Sequence, residues 1–157
     1  MAIIKHTSIG TSAEVIPSAS IISLAQLAYT AASAATEYNN ESGLNLYADF
    51  ALACSSGTPS GNGYVALYIV PEVDGYYPVT PVQGTVSPGE GFLAAVFPLN
   101  NTAVTSTAAS ACVRSAVYNV PIPPQKFKCV IGNFSGMTFS SIGTQTVGIY
   151  PHNLDVA

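Results

Sequence analysis

The sequence predicts an all-β fold: a jelly-roll-like β-sandwich of about eight antiparallel strands with an extended N-terminal arm. Three observations predict it. From residue 44 onward, apolar side chains alternate with polar ones in strand-length runs, the period of a strand with one buried face. Those runs are separated by clusters of Gly, Pro, Asn and Ser, the residues that turns require. The whole chain has 157 residues, the size of one ordinary domain. It divides into an arm over 1–19 and a single sandwich domain over 20–157.

The arm, with Lys5 its only cation in MAIIKHTSIG, lacks the basic flank and adjoining apolar core of a secretory signal. Val15 to Thr36 is uncharged and long enough to span a bilayer, but Pro17, Gln26 and its Ser and Thr residues speak against that, and no membrane contact is expected. Within it, SIISLAQLAYTAASAAT at 20–36 has alanines that favour helix and a β-branched start that favours strand. It reads as two strands or one long bent strand.

LNLYADFALAC follows, with Leu44, Leu46, Ala48, Phe50, Leu52 and Cys54 on one face and Asn45, Tyr47 and Asp49 on the other. Residues 55–63, SSGTPSGNG, are turn formers, and GYVALYIV after them is rich in β-branched and aromatic residues, so these two strands are expected to form a hairpin. Residues 71–91 carry four prolines and four glycines. A connection that long in a compact domain is often a binding loop, and Tyr76 and Tyr77 are its candidate contacts, the alternative being that they fold back and cap the sandwich. GFLAAVFPL, ACVRSAVYNV, KFKCVIGN and TQTVGIY are the remaining strands. PIPP at 121–124 cannot donate ladder hydrogen bonds and is expected to cross between strands or sheets.

Composition narrows the function. Charged residues make up 8% of the chain, against about 25% in an average soluble protein. A surface with so little charge repulsion tends to associate, and a net charge of −4 opposes this only modestly. The four cations, Lys5, Arg114, Lys126 and Lys128, form no basic stripe, so nucleic acid is not an expected partner. Cys54, Cys112 and Cys129 stand singly inside apolar runs and read as small hydrophobes, with one Cys112–Cys129 bridge as the alternative if their strands pair. Asn40, Asn100 and Asn133 begin N-x-Ser/Thr triplets, which a chain this rich in Ser and Thr produces by chance.

Catalytic chemistry finds no footing. His6 and His152 are the only imidazoles, both near the termini, and no G-x-S-x-G elbow or phosphate cradle accompanies them. Glu72, Asp74 and Glu90 share the long loop without regularly spaced oxygen donors, and Asp74 before Gly75 reads as a turn residue. No cofactor and no metal are expected. Asp49 lies mid-strand, where an unpaired buried carboxylate is costly; it is expected to face solvent or a subunit beside Tyr47, with Arg114 as a salt-bridge partner.

Taken in order, NLYADFALA, VALYIVPEVDG, VFPLN, VPIPPQKFKCVIGN and TQTVGIYP resemble a family of small β-sandwich virion proteins of tailed bacteriophages, over roughly residues 44–151. Gln125 stands where that pattern has glycine, and VFPLN ends in Asn100 where it has a cation. The resemblance implies a non-enzymatic structural role. Low charge and ample Tyr, Asn and Thr suit capsid decoration: a cement-like homotrimer, made in the host bacterial cytoplasm, that binds the major capsid protein on the virion exterior. A tail or fibre position is one alternative. A carbohydrate or host-receptor module binding a surface glycan through Tyr76 and Tyr77 is another.

Overall fold

The computed structural model describes residues 4–7, 11–55, 63–78, 91–99, 112–141, 143 and 145–156. Eight strands form among them: β1 (Ile4–Thr7), β2 (Ala13–Ile16), β3 (Tyr47–Ser55), β4 (Tyr64–Pro71), β5 (Phe92–Pro98), β6 (Cys112–Pro121), β7 (Phe127–Phe134) and β8 (Thr146–Val156). One short helix, α1 (Ser18–Ile21), and a 3-10 turn at Ala32–Ala34 complete the regular structure. All pairings between strands are antiparallel, and the strands make two sheets, so the chain is an all-β sandwich.

The larger sheet runs β6, β3, β8, and the long β8 also pairs with β2 at Val147–Ile149 and with β1 at Asn153–Val156. The smaller runs β5, β4, β7. Alternation decides which side chains meet between the sheets. Ala48, Phe50, Leu52 and Cys54 from β3 and Val147 and Ile149 from β8 face Val65, Leu67 and Ile69 from β4, with Phe127, Cys129 and Ile131 from β7. Phe97 and Phe139 close the same core. Cys54 and Cys129 are thus buried small hydrophobes, and burial pushes the Cys129 thiol well above its usual range. The Cys112–Cys129 bridge does not form: Cys129 is a free thiol, and β6 and β7 belong to different sheets.

Several expectations need correction. The proposed β3–β4 hairpin is a crossing between sheets, because β3 pairs with β6 and β8 whereas β4 pairs with β5 and β7. A turn-rich linker fits either arrangement, and only the buried faces of distant strands distinguish them. Leu44 and Leu46 keep the inward parity but are about 60% exposed, at 60% and 62%. The strand starts only at Tyr47; before it, Leu44 sits at φ 44° and Asn45 is buried, its N–H donating to Asn40 Oδ1 at 3.0 Å. The PIPP crossing does carry the chain from β6 to β7, held where Asn40 Nδ2 donates to Pro123 O at 2.8 Å.

Residues 20–36 form neither a long bent strand nor two strands. After α1 the backbone turns at Ser23 (φ 58°) and Leu27 (φ 61°), then follows the free edge of β7 irregularly. Leu27 N–H donates to Asn133 O, Thr30 N–H to Ile131 O, and Tyr38 N–H to Phe127 O, so that edge is satisfied without a regular strand. Asn133, fully buried, ties the segment down: its Nδ2 donates to Leu24 O at 2.9 Å and Met137 O at 2.8 Å. Asn40 and Asn133 are both fully buried, so their N-x-Ser/Thr triplets are structural; Asn100 lies outside the described residues. The stretch expected as an arm also joins the sandwich. β1 and β2 pair along β8, and Val15 and Ile16 enter the core. Among the described residues no helix is long and apolar enough to cross a membrane.

Candidate functional site

The outward face of the larger sheet carries a trough whose floor follows from register. Ala51 of β3 lies opposite Ala116 of β6 on one side and Gly148 of β8 on the other, so three of the smallest side chains stand abreast. The next row along is Arg114, Ala53 and Thr146. On the other flank stand Tyr118 and Tyr150, 70% and 44% exposed, with Asp49 on the strand between them. Alternation puts all these residues on one face, and the missing side-chain bulk leaves a recess. It encloses about 550 Å³ beside Asp49 and His152, and about 500 Å³ towards Arg114, sharing Ala51, Ala116, Tyr118 and Tyr150. The Tyr150 ring lies across Gly148, where an added Cβ would meet its Cε2 at 3.5 Å.

One end of the trough is closed by a bulge in β6. Ala48 pairs with Val120 and Phe50 with Val117, so Tyr118 and Asn119 together oppose Asp49. Asn119 takes a left-handed φ of 54°, its N–H donates to Asp49 Oδ1 at 2.9 Å, and its Oδ1 lies 3.0 Å from His152 Nε2. His152 Nδ1 is 3.4 Å from Tyr150 O and 3.9 Å from Asp49 Oδ1, and the Tyr47 ring stacks on the imidazole at 6.3 Å between centroids. The ring is only 3% exposed. Through Asn119 Oδ1 the imidazole braces the bulge, and the Asn119 N–H holds Asp49 at the rim of the trough. Among the described residues no group of three His, Cys, Asp or Glu is arranged to hold a metal ion.

The sequence pairs Asp49 with Tyr47, and the structure brings them together around His152. The expected partner of Asp49 was wrong. Arg114 sits opposite Ala53, four residues along β3 from Asp49, or about 13 Å of strand; the carboxylate instead takes the Asn119 N–H and lies near His152.

Tyr76 and Tyr77 lie elsewhere and part company. Asp74 (φ 50°) and Gly75 (φ 82°) make a tight two-residue turn closed by reciprocal hydrogen bonds between Val73 and Tyr76 at 2.8 and 2.9 Å. Tyr76, 78% exposed, stands out from this turn. Tyr77 folds back: its hydroxyl donates to Glu37 Oε2 at 2.7 Å, and Lys128 Nζ lies 4.7 Å over its ring. Burial, then the hydrogen bond to Glu37 and the charges of Glu37, Glu72 and Glu41, push that hydroxyl well above its ordinary range. Lys126 reaches Glu37 at 3.7 Å and Glu72 at 4.0 Å, so two of the four cations are gathered here. Residues 79–90, including Glu90, lie outside the described residues.

Sequence reasoning missed Tyr118, Asn119, Tyr150 and His152 as members of this site. Tyr150 could have been found, because in TVGIYP it shares the outward parity of Gly148. Asn119 could not, since a bulge is visible only against the strand it faces. No protein-family model and no curated protein matches the chain.

Proposed function

We propose that this chain is a non-enzymatic virion protein of a tailed phage, a capsid decoration protein that joins neighbouring copies of the major capsid protein on the outside of the particle. The observation that carries the reading is β5. Among the described residues it pairs only with β4, and Phe92, Leu93 and Val96 are 45%, 55% and 41% exposed. An apolar edge strand is a template for association, which monomeric proteins suppress with lysines or bulges. Here the strand is bulged at Ala94 but reads FLAAVFP, without a single charge. Part of it is VFPLN, one of the five ordered segments that carry the likeness to phage proteins. A surface kept this apolar in a chain with 8% charged residues is readily understood if a partner covers it.

Strand order supports the jelly-roll form of the sandwich. One sheet runs β2, β8, β3, β6; in the other, residues 24–38 take the place of a fourth strand beside β7, β4 and β5. Capsid and lectin domains share that architecture, and fold alone decides between them no further. A homotrimer on a three-fold axis is the assembly such a cement protein suits.

The test is quantitative mass spectrometry of gradient-banded particles, scaled to the major capsid protein. Copies in the hundreds support decoration, and Leu93→Lys with Val96→Lys then lowers the copy number without unfolding the protein. A handful of copies moves the chain to the tail or a fibre. Absence from particles overturns the reading.

A further inference from the structure

The geometry points to the trough on the outward face of the larger sheet as a carbohydrate site, taking one or two rings of a neutral oligosaccharide. This inference concerns the sheet to which β5 does not belong and does not depend on where the chain sits in a particle.

Size comes first. A recess of about 550 Å³ falls inside the range of about 300–1,000 Å³ typical of small-molecule sites. Its floor is Ala116 and Ala51, on neighbouring strands about 5 Å apart, with Gly148 beyond them under the Tyr150 ring. That is a slot for a flat ring over the two alanines, walled on one side by Tyr150.

Chemistry then selects the ring. A pyranose presents a face of C–H groups, which packs on aromatic rings and small apolar side chains, and an equator of hydroxyls, which need hydrogen-bond partners. The trough offers both in the same order. Tyr118 and Tyr150, both exposed, line it with aromatic rings that carry phenolic hydroxyls. Asp49 stands between them with its side chain 30% exposed, and its contacts among the described residues, to Asn119 and to His152, use Oδ1. Its second oxygen is therefore placed to accept from a sugar hydroxyl. The β6 bulge and the buried His152 hold that carboxylate in position before any ligand arrives, which lowers the cost of ordering it.

Other ligand classes fit less well. Phosphates and nucleic acid are disfavoured by Asp49 at the rim and Glu14 opposite Gly148, against the single cation Arg114. An extended peptide binds by adding to a sheet edge, here that of the end strand β6, whereas β3 and β8 in the middle of the trough are already paired on both sides. A wholly aliphatic ligand would desolvate the second Asp49 oxygen without offering it a hydrogen bond.

The test is a backbone-amide NMR titration of the full chain with maltohexaose, cellotetraose and chitotetraose in turn, at millimolar concentration. Saturable shifts at Ala51, Ala53, Ala116 and Gly148 with at least one of them are expected. Two variants then separate stacking from space. Tyr118→Ala with Tyr150→Ala removes the flanking rings and weakens binding by at least about tenfold. Ala51→Trp fills the floor, leaves both tyrosines in place and abolishes binding. The inference fails if none of the three sugars shifts those amides, or if shifts appear only at the Val73–Tyr77 turn. It fails equally if binding survives both variants, or if sedimentation shows the wild-type trough buried between copies that Ala51→Trp separates.

Discussion

The outward faces of the two sheets were built to opposite ends. That of the smaller sheet is roofed on its β7 side: residues 24–38 run beside β7, and Tyr29 reaches over Gly132 to pack edge-on against Tyr68 and Phe134, both at 5.9 Å between centroids. Ala32, Val70 and Val130 are buried beneath it, a second small core outside the main one. That of the larger sheet has no such roof among the described residues: Tyr150 lies across Gly148 at one side, and Ala51 and Ala116 leave the middle of the face open. A covered face demands complementary shape and satisfied backbone, hence the buried Asn133. An open face demands only that side chains stand where the register puts them, so it is free to vary with a ligand.

The contrast can be broken by mutation. The largest effect belongs to the core that both sheets share: Phe127→Ala should lower the unfolding free energy by about 3–5 kcal/mol in urea denaturation. Next is the roof. A Cβ at residue 132 would lie 2.7 Å from Tyr29 Cε1 and 2.8 Å from Phe134 Cε2, so Gly132→Ala should cost about 1–3 kcal/mol. Amide exchange at Leu27 and Thr30 should quicken while that at Ala51 and Ala53 stays unchanged. Equal quickening at both places would show that the roof is not a separate unit.

Alkaline pH should reach the same side of the molecule. Tyr38, Tyr77 and the Cys129 thiol are all raised from ordinary values of 10.0, 10.0 and 9.0, chiefly by burial. Raised acids stay protonated in the fold, so their contribution is complete below those ordinary values and is lost as pH climbs beyond them towards the folded-state values. Thermal melting should fall from about pH 9–10 upward, and less steeply in Tyr77→Phe. The smallest effect is expected on the open face, where Tyr118→Ala should change stability by less than about 0.5 kcal/mol. A loss comparable to that of Gly132→Ala would mean that Tyr118 is packed against another copy of the chain.

Local pattern was enough to establish the class of fold, the inward parity of Ala48 to Cys54, the Asp74–Gly75 turn and the crossing at PIPP. Each depends on a period of two or on the backbone limits of Pro and Gly, which are properties of neighbouring residues. It also brought Tyr47 and Asp49 together, because two residues of equal parity on one strand share a face. Pairing between distant segments lay beyond it. Whether SSGTPSGNG joins partners or crosses between sheets, whether 20–36 becomes strand or roof, and which residue answers Asp49 depend on what lies across the sheet. Asn119 meets the carboxylate only because a bulge in β6 adds a residue at that row, and the trough exists only because Ala116, Ala51 and Gly148, far apart in the chain, fall into one register. Alternation along a strand is written in its own sequence, but the neighbours of that strand are chosen by the packing of the whole core.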